Sequence, residues 1–227
     1  MHTCNLPRTA WSCVGLVLLG ASLASWSGSV FGQEAASGTK ITLVMEDQFG
    51  QVHRLEDYKG DVLILVYSDR EGAEASLALG RQLHLVFHPA ARGLPPAQAS
   101  KAPTAPIPGW PEKVRQPEVK VQAVACIANL SGRGFAPLRS YIQRRFREEA
   151  PDVPVWLDMG DQLKSQCGLQ AGVPNVVVFD TASRLRYRKA GPWQQPQIQE
   201  LERLVLALRR EVLTGQAQSQ TAPPADR

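Results

Sequence analysis

The sequence predicts an α/β fold with a partly parallel central sheet. Three apolar runs rich in β-branched residues, at 61–67, 119–128 and 172–180, have the length and composition of buried strands. Segments with helical spacing alternate with these runs, which is typical of layered α/β proteins. The chain has 227 residues, 44% hydrophobic and 20% charged, and this composition indicates a globular protein with room for one domain plus short extensions.

The first part of the chain predicts a hairpin, a strand and a helix. The hairpin arms are predicted at residues 41–45 and 51–55, the strand at 61–67 and the helix at 73–87. Residues 68–72 are polar and turn-forming, so we expect them to connect the strand to the helix.

The second part continues the alternation. Strands are predicted at residues 119–128, 153–157 and 172–180, with a hairpin return at 185–189; helices are predicted at 158–167 and 195–213. A further helix is indicated by Phe135, Leu138, Ile142 and Phe146, whose spacings of three and four residues place them on one face. Pro137 suits the first turn of that helix.

Residues 88–118 interrupt the pattern with eight prolines. Proline lacks the amide donor of a helix or a sheet ladder, so we expect an extended insertion here. Two interpretations remain open: a solvated loop, or a Pro-rich segment that binds a partner.

The two ends of the chain predict processing and disorder. Residues 1–33 have the features of a secretory signal peptide: Arg8 as the only lysine or arginine, no acidic residue, and an apolar run from Val14 to Leu23. That run is short for a membrane span, although an uncleaved anchor is an alternative. Residues 214–227 are rich in Gln, Ala, Pro and Ser and predict a disordered tail. We therefore expect a periplasmic or secreted protein with one domain at 34–213 and no membrane span after signal removal.

Charge and motifs exclude several function classes. The formal net charge is only +4, without the dense basic stripe of a nucleic-acid-binding protein. The sequence has no phosphate-binding loop, nucleophile elbow or zinc-protease signature, so we predict no cofactor and no nucleic-acid partner.

Three segments resemble the thioredoxin-like superfamily. Residues 47–60 resemble the opening hairpin of its redoxin (AhpC/TSA-like) branch, residues 154–158 resemble a later short strand, and residues 172–174 (Gly-Val-Pro) resemble the cis-proline loop. The pattern is also similar to exported proteins of the YtfJ type. The resemblance covers residues 39–213. It implies a thioredoxin-like fold, with a central mixed sheet flanked by helices, a redoxin-type N-terminal hairpin and a cis Val173–Pro174 bond.

The chain departs from that family where the reactive cysteine would stand. Residues 68–76 (SDREGAEAS) contain no cysteine. Redox chemistry needs a thiolate at this helix start, and a serine hydroxyl stays protonated near neutral pH without a dedicated base. The resemblance therefore implies a degenerate active site.

The residues around this position are the candidate ligand or partner surface: Ser68, Asp69, Arg70, Glu71, Val173 and Pro174. A helix N-terminus at this place would favour an anionic ligand. The alternative is a solvated turn with a local ion pair.

Cys126 and Cys167 are the only cysteines that remain if the signal is removed. Three interpretations are open: buried thiols without a partner, a structural disulfide, or a relocated redox pair.

Two other groups are candidates. Arg184, Arg186 and Arg188 alternate along a strand and predict a basic face for an anionic partner, unless they form only a solvated face. His84 and His88 could share a helix face, but no third ligand has suitable spacing, so we predict no metal site. His53 is expected on the exposed side of the hairpin.

The combined prediction is an exported thioredoxin-fold protein that lacks catalytic activity. It would act as a binding or accessory module that holds an envelope protein or an extended polypeptide. The alternatives are a thiol-disulfide oxidoreductase or peroxidase using Cys126 or Cys167, and a structural envelope protein with a basic surface.

Overall fold

A computed structural model describes residues 33–34, 41–127 and 136–221. The chain divides into two units, and all of these residues belong to the second, residues 32–227. The predicted signal peptide, apart from Gln33, lies outside the described residues. The strands are β1 (Gln33–Glu34), β2 (Val44–Asp47), β3 (Val52–Arg54), β4 (Val62–Ser68), β5 (Val119–Cys126), β6 (Val155–Asp158), β7 (Asn175–Phe179) and β8 (Leu185–Ala190). The α-helices are α1 (Ala73–Phe87), α2 (Pro96–Ala99), α3 (Ala136–Glu149), α4 (Gln162–Cys167) and α5 (Gln195–Thr221).

The described strands form one mixed sheet in the order β1-β8-β7-β4-β5-β6-β2-β3. Strand β5 runs parallel to both β4 and β6, whereas β7 is antiparallel to β4 and β2 is antiparallel to β6. Leu65 of β4 pairs with Gln122 on one side and with Val177 on the other. The predicted α/β class with a central mixed sheet is confirmed.

The central strand β4 supplies both faces of the core. Its Leu63, Leu65 and Tyr67 pack with Trp156 of β6 and with Leu163 of α4 on one face. On the other face, Val62, Ile64 and Val66 pack under the buried sides of α1 and α5. Because a strand's side chains alternate between faces, a continuous apolar run is what a doubly covered strand requires.

The parallel pairing of β4, β5 and β6 fixes the position of the candidate site. The carboxyl ends of these three strands meet at one edge of the sheet. Helix α1 begins there, directly after residues 69–72, and α4 begins there after β6. Chemistry-bearing side chains at these strand ends are therefore close together.

The Pro-rich segment, residues 88–118, is more ordered than the solvated loop expected from its prolines. It contains a 3-10 turn at Pro89–Ala91 and the short helix α2, and its Ile107 is only 4% exposed. The Arg209 guanidinium of α5 donates hydrogen bonds to the carbonyl oxygens of Pro117 and Ala105, at 2.7 and 3.0 Å. Arg209, which is distant in the sequence, therefore pairs with backbone carbonyl groups that the Pro-rich segment itself leaves unpaired.

Two helix predictions need correction. Helix α5 continues to Thr221, so residues 214–221 are helical and only 222–227 of the predicted tail lie outside the described residues. Glutamine and alanine are good helix formers, and after Pro196 in the first turn no further proline occurs before Pro223. Helix α3 does start at Ala136, but Leu138 on its predicted inner face is 41% exposed. Phe135 lies outside the described residues.

No helix in the described part of the chain combines the length and apolar character that a membrane span requires.

Candidate functional site

Asp69 joins the two segments that the sequence proposed as one surface. Its Oδ1 atom accepts a hydrogen bond from the Gly72 amide at 3.0 Å, and its Oδ2 atom accepts one from the Gly172 amide at 2.8 Å. The end of β4, the start of α1 and the loop at residues 172–174 therefore meet through one carboxylate. The Asp69–Gly172 hydrogen bond joins residues that are 103 positions apart in the sequence, and it brings the two segments together as expected.

The electrostatics of Asp69 follow from those bonds. Burial opposes its ionisation, but the backbone amides of Gly72, Gly172 and Glu71 hold the pKa of the carboxyl below its ordinary value. Asp69 is therefore an ionised, fully engaged structural group rather than a proton carrier.

Gly72 lies directly on the peptide of Val173. A Cβ atom at position 72 would stand 3.1 Å from the backbone nitrogen and carbonyl carbon of Val173, closer than ordinary van der Waals contact. A larger residue at position 72 would require the backbone of Val173 to shift by a few tenths of an ångström. The place where the resemblance puts a thiol facing the proline loop is thus closed by direct backbone contact.

The bond between Val173 and Pro174 is trans, so the expected cis-proline is wrong; every peptide bond of the described residues is trans. The trans arrangement is accommodated by the loop's own hydrogen bonds. Gly172 turns the chain with a φ of +74°, and the buried Asn175 side chain donates to the carbonyl oxygens of Val173 and Gln170, both at 2.8 Å.

The remaining predicted residues differ in exposure. Arg70 and Glu71 are exposed, Val173 and Pro174 are half-buried, and Ser68 is buried beneath them. Carboxylates surround this helix start: besides Asp69 and Glu71, Glu74 lies in the first turn of α1. These negative charges oppose the anionic ligand that the helix N-terminus alone would favour.

Cys126 lies at the same edge, at the end of β5. Its Sγ atom donates to Asp161 Oδ1 at 3.3 Å. Burial raises the pKa of the Cys126 thiol, the neighbouring Tyr67 hydroxyl opposes that shift, and the Asp161 and Asp158 carboxylates add to it. The surroundings of Cys126 thus disfavour the thiolate.

Cys167, the last residue of α4, is fully buried in the core. Burial raises the pKa of its thiol to about 12, although the Arg188 guanidinium opposes the shift. Both cysteines are unpaired, so the structure contains no disulfide between them. Neither cysteine has the lowered pKa that marks a redox-active thiol.

Sequence reasoning missed Tyr67, Asp158 and Asp161 at this edge. Asp158 is buried, and its two carboxylate oxygens accept hydrogen bonds from the amides of Gln162 and Leu163, at 2.8 and 3.0 Å. Burial raises the pKa of Asp158 although those amides oppose it. The available signal was an aspartate at the first position of the helix predicted at residues 158–167, since aspartate is favoured where a helix begins.

The three arginines predicted as a basic face all contact other groups of the chain. Arg186 donates two hydrogen bonds to Glu211 of α5, at 2.7 and 2.9 Å, while Arg188 donates to the Cys167 carbonyl oxygen of α4 at 2.9 Å. A bulge in β8 separates Arg186 from Arg188. Leu185 pairs with Phe179 of β7 and Tyr187 pairs with the adjacent Val178, so Arg186 is an extra residue and the alternation of side chains between the two sheet faces is broken there.

Arg184 is likewise held within the chain. Its guanidinium contacts the carboxylate of Asp180, whose side chain is only 1% exposed, at 2.8 Å, and Arg186 contacts the same carboxylate at 3.1 Å. The three arginines therefore mainly neutralise and anchor internal groups.

The histidines also differ from expectation. His53 is buried, not exposed: its ring stacks on Trp156 with centroids 4.8 Å apart, and Nε2 lies 3.0 Å from Asp47 Oδ2. His84 and His88 do share one side of α1 and stack on each other. Within the described ranges, no three His, Cys, Asp or Glu side chains cluster as a metal site would need.

Comparison with known proteins gives a likeness in structure only. No protein-family model matches the chain, and no curated protein matches it. A secreted thiol-disulfide isomerase from Corynebacterium glutamicum superposes with a TM-score of 0.50 at 14% identity, covering 81% of this chain and 95% of that one.

Two further solved structures are similar at lower scores. A putative thiol:disulfide interchange protein DsbE from Chlorobium tepidum has a TM-score of 0.42 and 16% identity, covering 78% of this chain and 96% of that one. An exposed lipoprotein thioredoxin (Etrx1) from Streptococcus pneumoniae has a TM-score of 0.42 and 15% identity, covering 70% and 96%. Together with the mixed sheet and its flanking helices, the likeness to the isomerase shows that this chain has a thioredoxin-like fold.

Proposed function

We propose that the chain is a non-catalytic thioredoxin-fold module of the cell envelope that binds a polypeptide partner. The observation that carries this proposal is the closed contact between the β4–α1 junction and the proline loop. Asp69 and Gly72 occupy the junction where the fold's redox chemistry would need an accessible thiolate. Rigid positioning without a nucleophile suits binding rather than turnover.

The cysteines support the absence of thiol catalysis. A catalytic cysteine needs a stabilised thiolate and access to its substrate. Cys167 is buried with a pKa of about 12, and the protonated thiol of Cys126 donates a hydrogen bond to the Asp161 carboxylate, which would repel the thiolate. Both environments favour the unreactive thiol.

The proposed binding surface consists of Arg70, Glu71, Val173 and Pro174, held in place by Asp69. Two exposed charged side chains stand beside two half-buried apolar ones. Such a mixed surface on a rigid frame suits a protein or an extended peptide more than a small anionic ligand. The envelope location rests on the signal-peptide features of residues 1–33.

Site-specific photo-crosslinking in the producing cells tests this surface. A benzoylphenylalanine replaces Arg70 or Glu71 in the full chain, and Glu202, exposed on α5, serves as the control position. We expect a discrete crosslinked protein from positions 70 and 71 and none of that mass from position 202. The absence of any adduct specific to positions 70 and 71 would overturn the proposal.

One observation favours thiol chemistry as a second candidate function. Cys126 is half-buried rather than buried, and it lies at the carboxyl edge of the sheet beside the proposed surface. An oxidoreductase or peroxidase would have to use this thiol. A structural role through a basic surface is less favoured, because Arg184 and Arg186 pair with internal carboxylates.

A further inference from the structure

Two stacked histidines lie at the carboxyl end of α1. The ring centroids of His84 and His88 are 4.3 Å apart and their planes differ by 16°. The residues are one helical turn apart, which places both rings on the same side of the helix. His88 is buried and His84 is half-buried, so this pair is shielded on most sides.

Both rings are bonded to the Pro-rich segment. His84 Nε2 donates to the Ala99 carbonyl oxygen at 2.9 Å, and His88 Nε2 lies 3.3 Å from the Thr104 hydroxyl. His88 Nδ1 donates to the His84 carbonyl oxygen at 3.1 Å, because a carbonyl can only accept. With that nitrogen protonated, Nε2 of a neutral His88 is an acceptor for a hydrogen bond from the Thr104 hydroxyl, which also lies 3.5 Å from the Val119 carbonyl oxygen.

Thr104 extends the connection to the sheet. Its Oγ1 atom accepts a hydrogen bond from the amide of Val119, the first residue of β5, at 3.0 Å. The amide of Ala105, the residue after Thr104, donates a hydrogen bond to the Phe87 carbonyl oxygen at 2.8 Å. The middle of the Pro-rich segment is therefore fastened to α1 and β5 around the two histidine rings.

The charges near His88 oppose its protonation. Burial lowers the pKa of His88, and the His84 ring and Lys120 of β5 act in the same direction, although hydrogen bonds to backbone carbonyls oppose them. The facing acid, Glu118, is engaged by Lys120. The Arg209 guanidinium of α5 donates hydrogen bonds to the carbonyl oxygens of Ala105 and Pro117, and it adds another positive charge beside the segment.

We propose that His84 and His88 form a pH-sensitive latch that fastens residues 99–106 at neutral pH and releases them in acid. Protonation of His88 would place a positive charge against a second imidazole and Lys120, within a buried site. The fastened form binds that proton less readily than the open form does. Opening is therefore favoured as the pH falls below about 6.5, the ordinary pKa of histidine.

Hydrogen–deuterium exchange of the full chain, with rates corrected for the intrinsic effect of pH, tests the latch. Between pH 7.5 and pH 5.0 we expect opening of residues 99–106 to increase several-fold, because the open form binds the proton more readily than the fastened form does. The amides of β7 should show no comparable change. In His88→Asn this pH dependence should disappear, whatever its basal exchange rate.

Two further variants separate the latch from general acid sensitivity. His84→Gln keeps an amide donor for the Ala99 carbonyl but removes the second ring, so its pH response should be smaller than that of the wild type. His53→Gln, in the separate cluster with Trp156, should keep the full response. The latch is overturned if wild type and His88→Asn respond equally, if neither responds, or if β7 opens in parallel with residues 99–106.

Discussion

The Asp69 carboxylate is the residue-level link between the β4–α1 junction and the proline loop. Each of its oxygens accepts a backbone amide, one from each segment. Hydrogen bonds to an ionised acceptor are stronger than neutral ones. The conformation of the proposed binding surface therefore depends on this side chain being ionised.

Asp69→Asn should lower the free energy of unfolding by about 1–3 kcal/mol at pH 7, because two charge-assisted bonds are weakened or lost. Since the folded-state pKa of Asp69 is lowered, its stabilisation is present above pH 4 and is lost as the pH falls through the folded value. Urea unfolding from pH 7 to pH 3 measures the difference between variant and wild type. That difference should shrink in acid, and a constant difference would contradict the assignment. Exposed Asp152→Asn is the control.

Gly72 and Gly80 form a matched pair at the start and middle of α1. A Cβ atom at Gly72 would meet the Val173 backbone at 3.1 Å, whereas one at Gly80 would meet nothing within 4 Å. Gly72→Ala should therefore destabilise the protein by about 1–3 kcal/mol through overpacking. Gly80→Ala should stabilise it by up to about 1 kcal/mol through helix propensity. Denaturant midpoints measure both, and equal effects of the two changes would contradict the close contact.

At the scale of elements, the Pro-rich segment depends on helix α5. Arg209 is buried, and its guanidinium holds the carbonyls of Ala105 and Pro117. Its neighbour Arg210 is exposed on the same helix. Because the hydrogen bonds within the segment join residues close in sequence, whereas Arg209 links it to α5, loss of this cation should loosen the segment without unfolding the sheet.

Limited trypsin digestion measures that loosening at the exposed Lys101 and Lys113. Arg209→Met should accelerate cleavage at both lysines by about tenfold, if roughly 1.4 kcal/mol of local stability is lost. Arg210→Met should leave the cleavage rate at the wild-type value. Equal protection in the two variants would show that the segment is held by other contacts.

Elements with a strong local pattern could be predicted from the sequence. The continuous apolar runs of β4, β5 and β7 are what a sheet covered on both faces requires, and the structure places strands at all three. Order in the Pro-rich segment could not be predicted, because it depends on Arg209, far away in the sequence. The bulge that separates Arg186 from Arg188 is likewise set by pairing with β7.

The candidate site could be predicted only in part. The juxtaposition of residues 68–72 with 172–174 followed from the family resemblance, and Asp69 provides its physical basis. The trans Val173–Pro174 bond and the buried His53 did not follow, since each depends on side-chain partners from other segments. Asp158 and Asp161 were missed because their effect on Cys126 exists only after β5 and β6 pair.

At the scale of the whole molecule, the thioredoxin-like sheet brings its strand ends together without a reactive thiol among them. The β4–α1 junction has no cysteine, Cys167 is buried in the core, and Cys126 is bonded to a carboxylate. In the proposed function, this edge of the sheet is a binding surface rather than a redox site. It follows that the chain should not exchange disulfides at a catalysed rate.

The reduction of insulin by dithiothreitol, followed by turbidity, tests that claim most directly. We expect the chain to leave the rate at that of dithiothreitol alone, and the Cys126→Ser and Cys167→Ser variants to behave as the wild type does. An acceleration by the wild-type chain that Cys126→Ser abolishes would contradict the non-catalytic assignment and make Cys126 a redox-active residue.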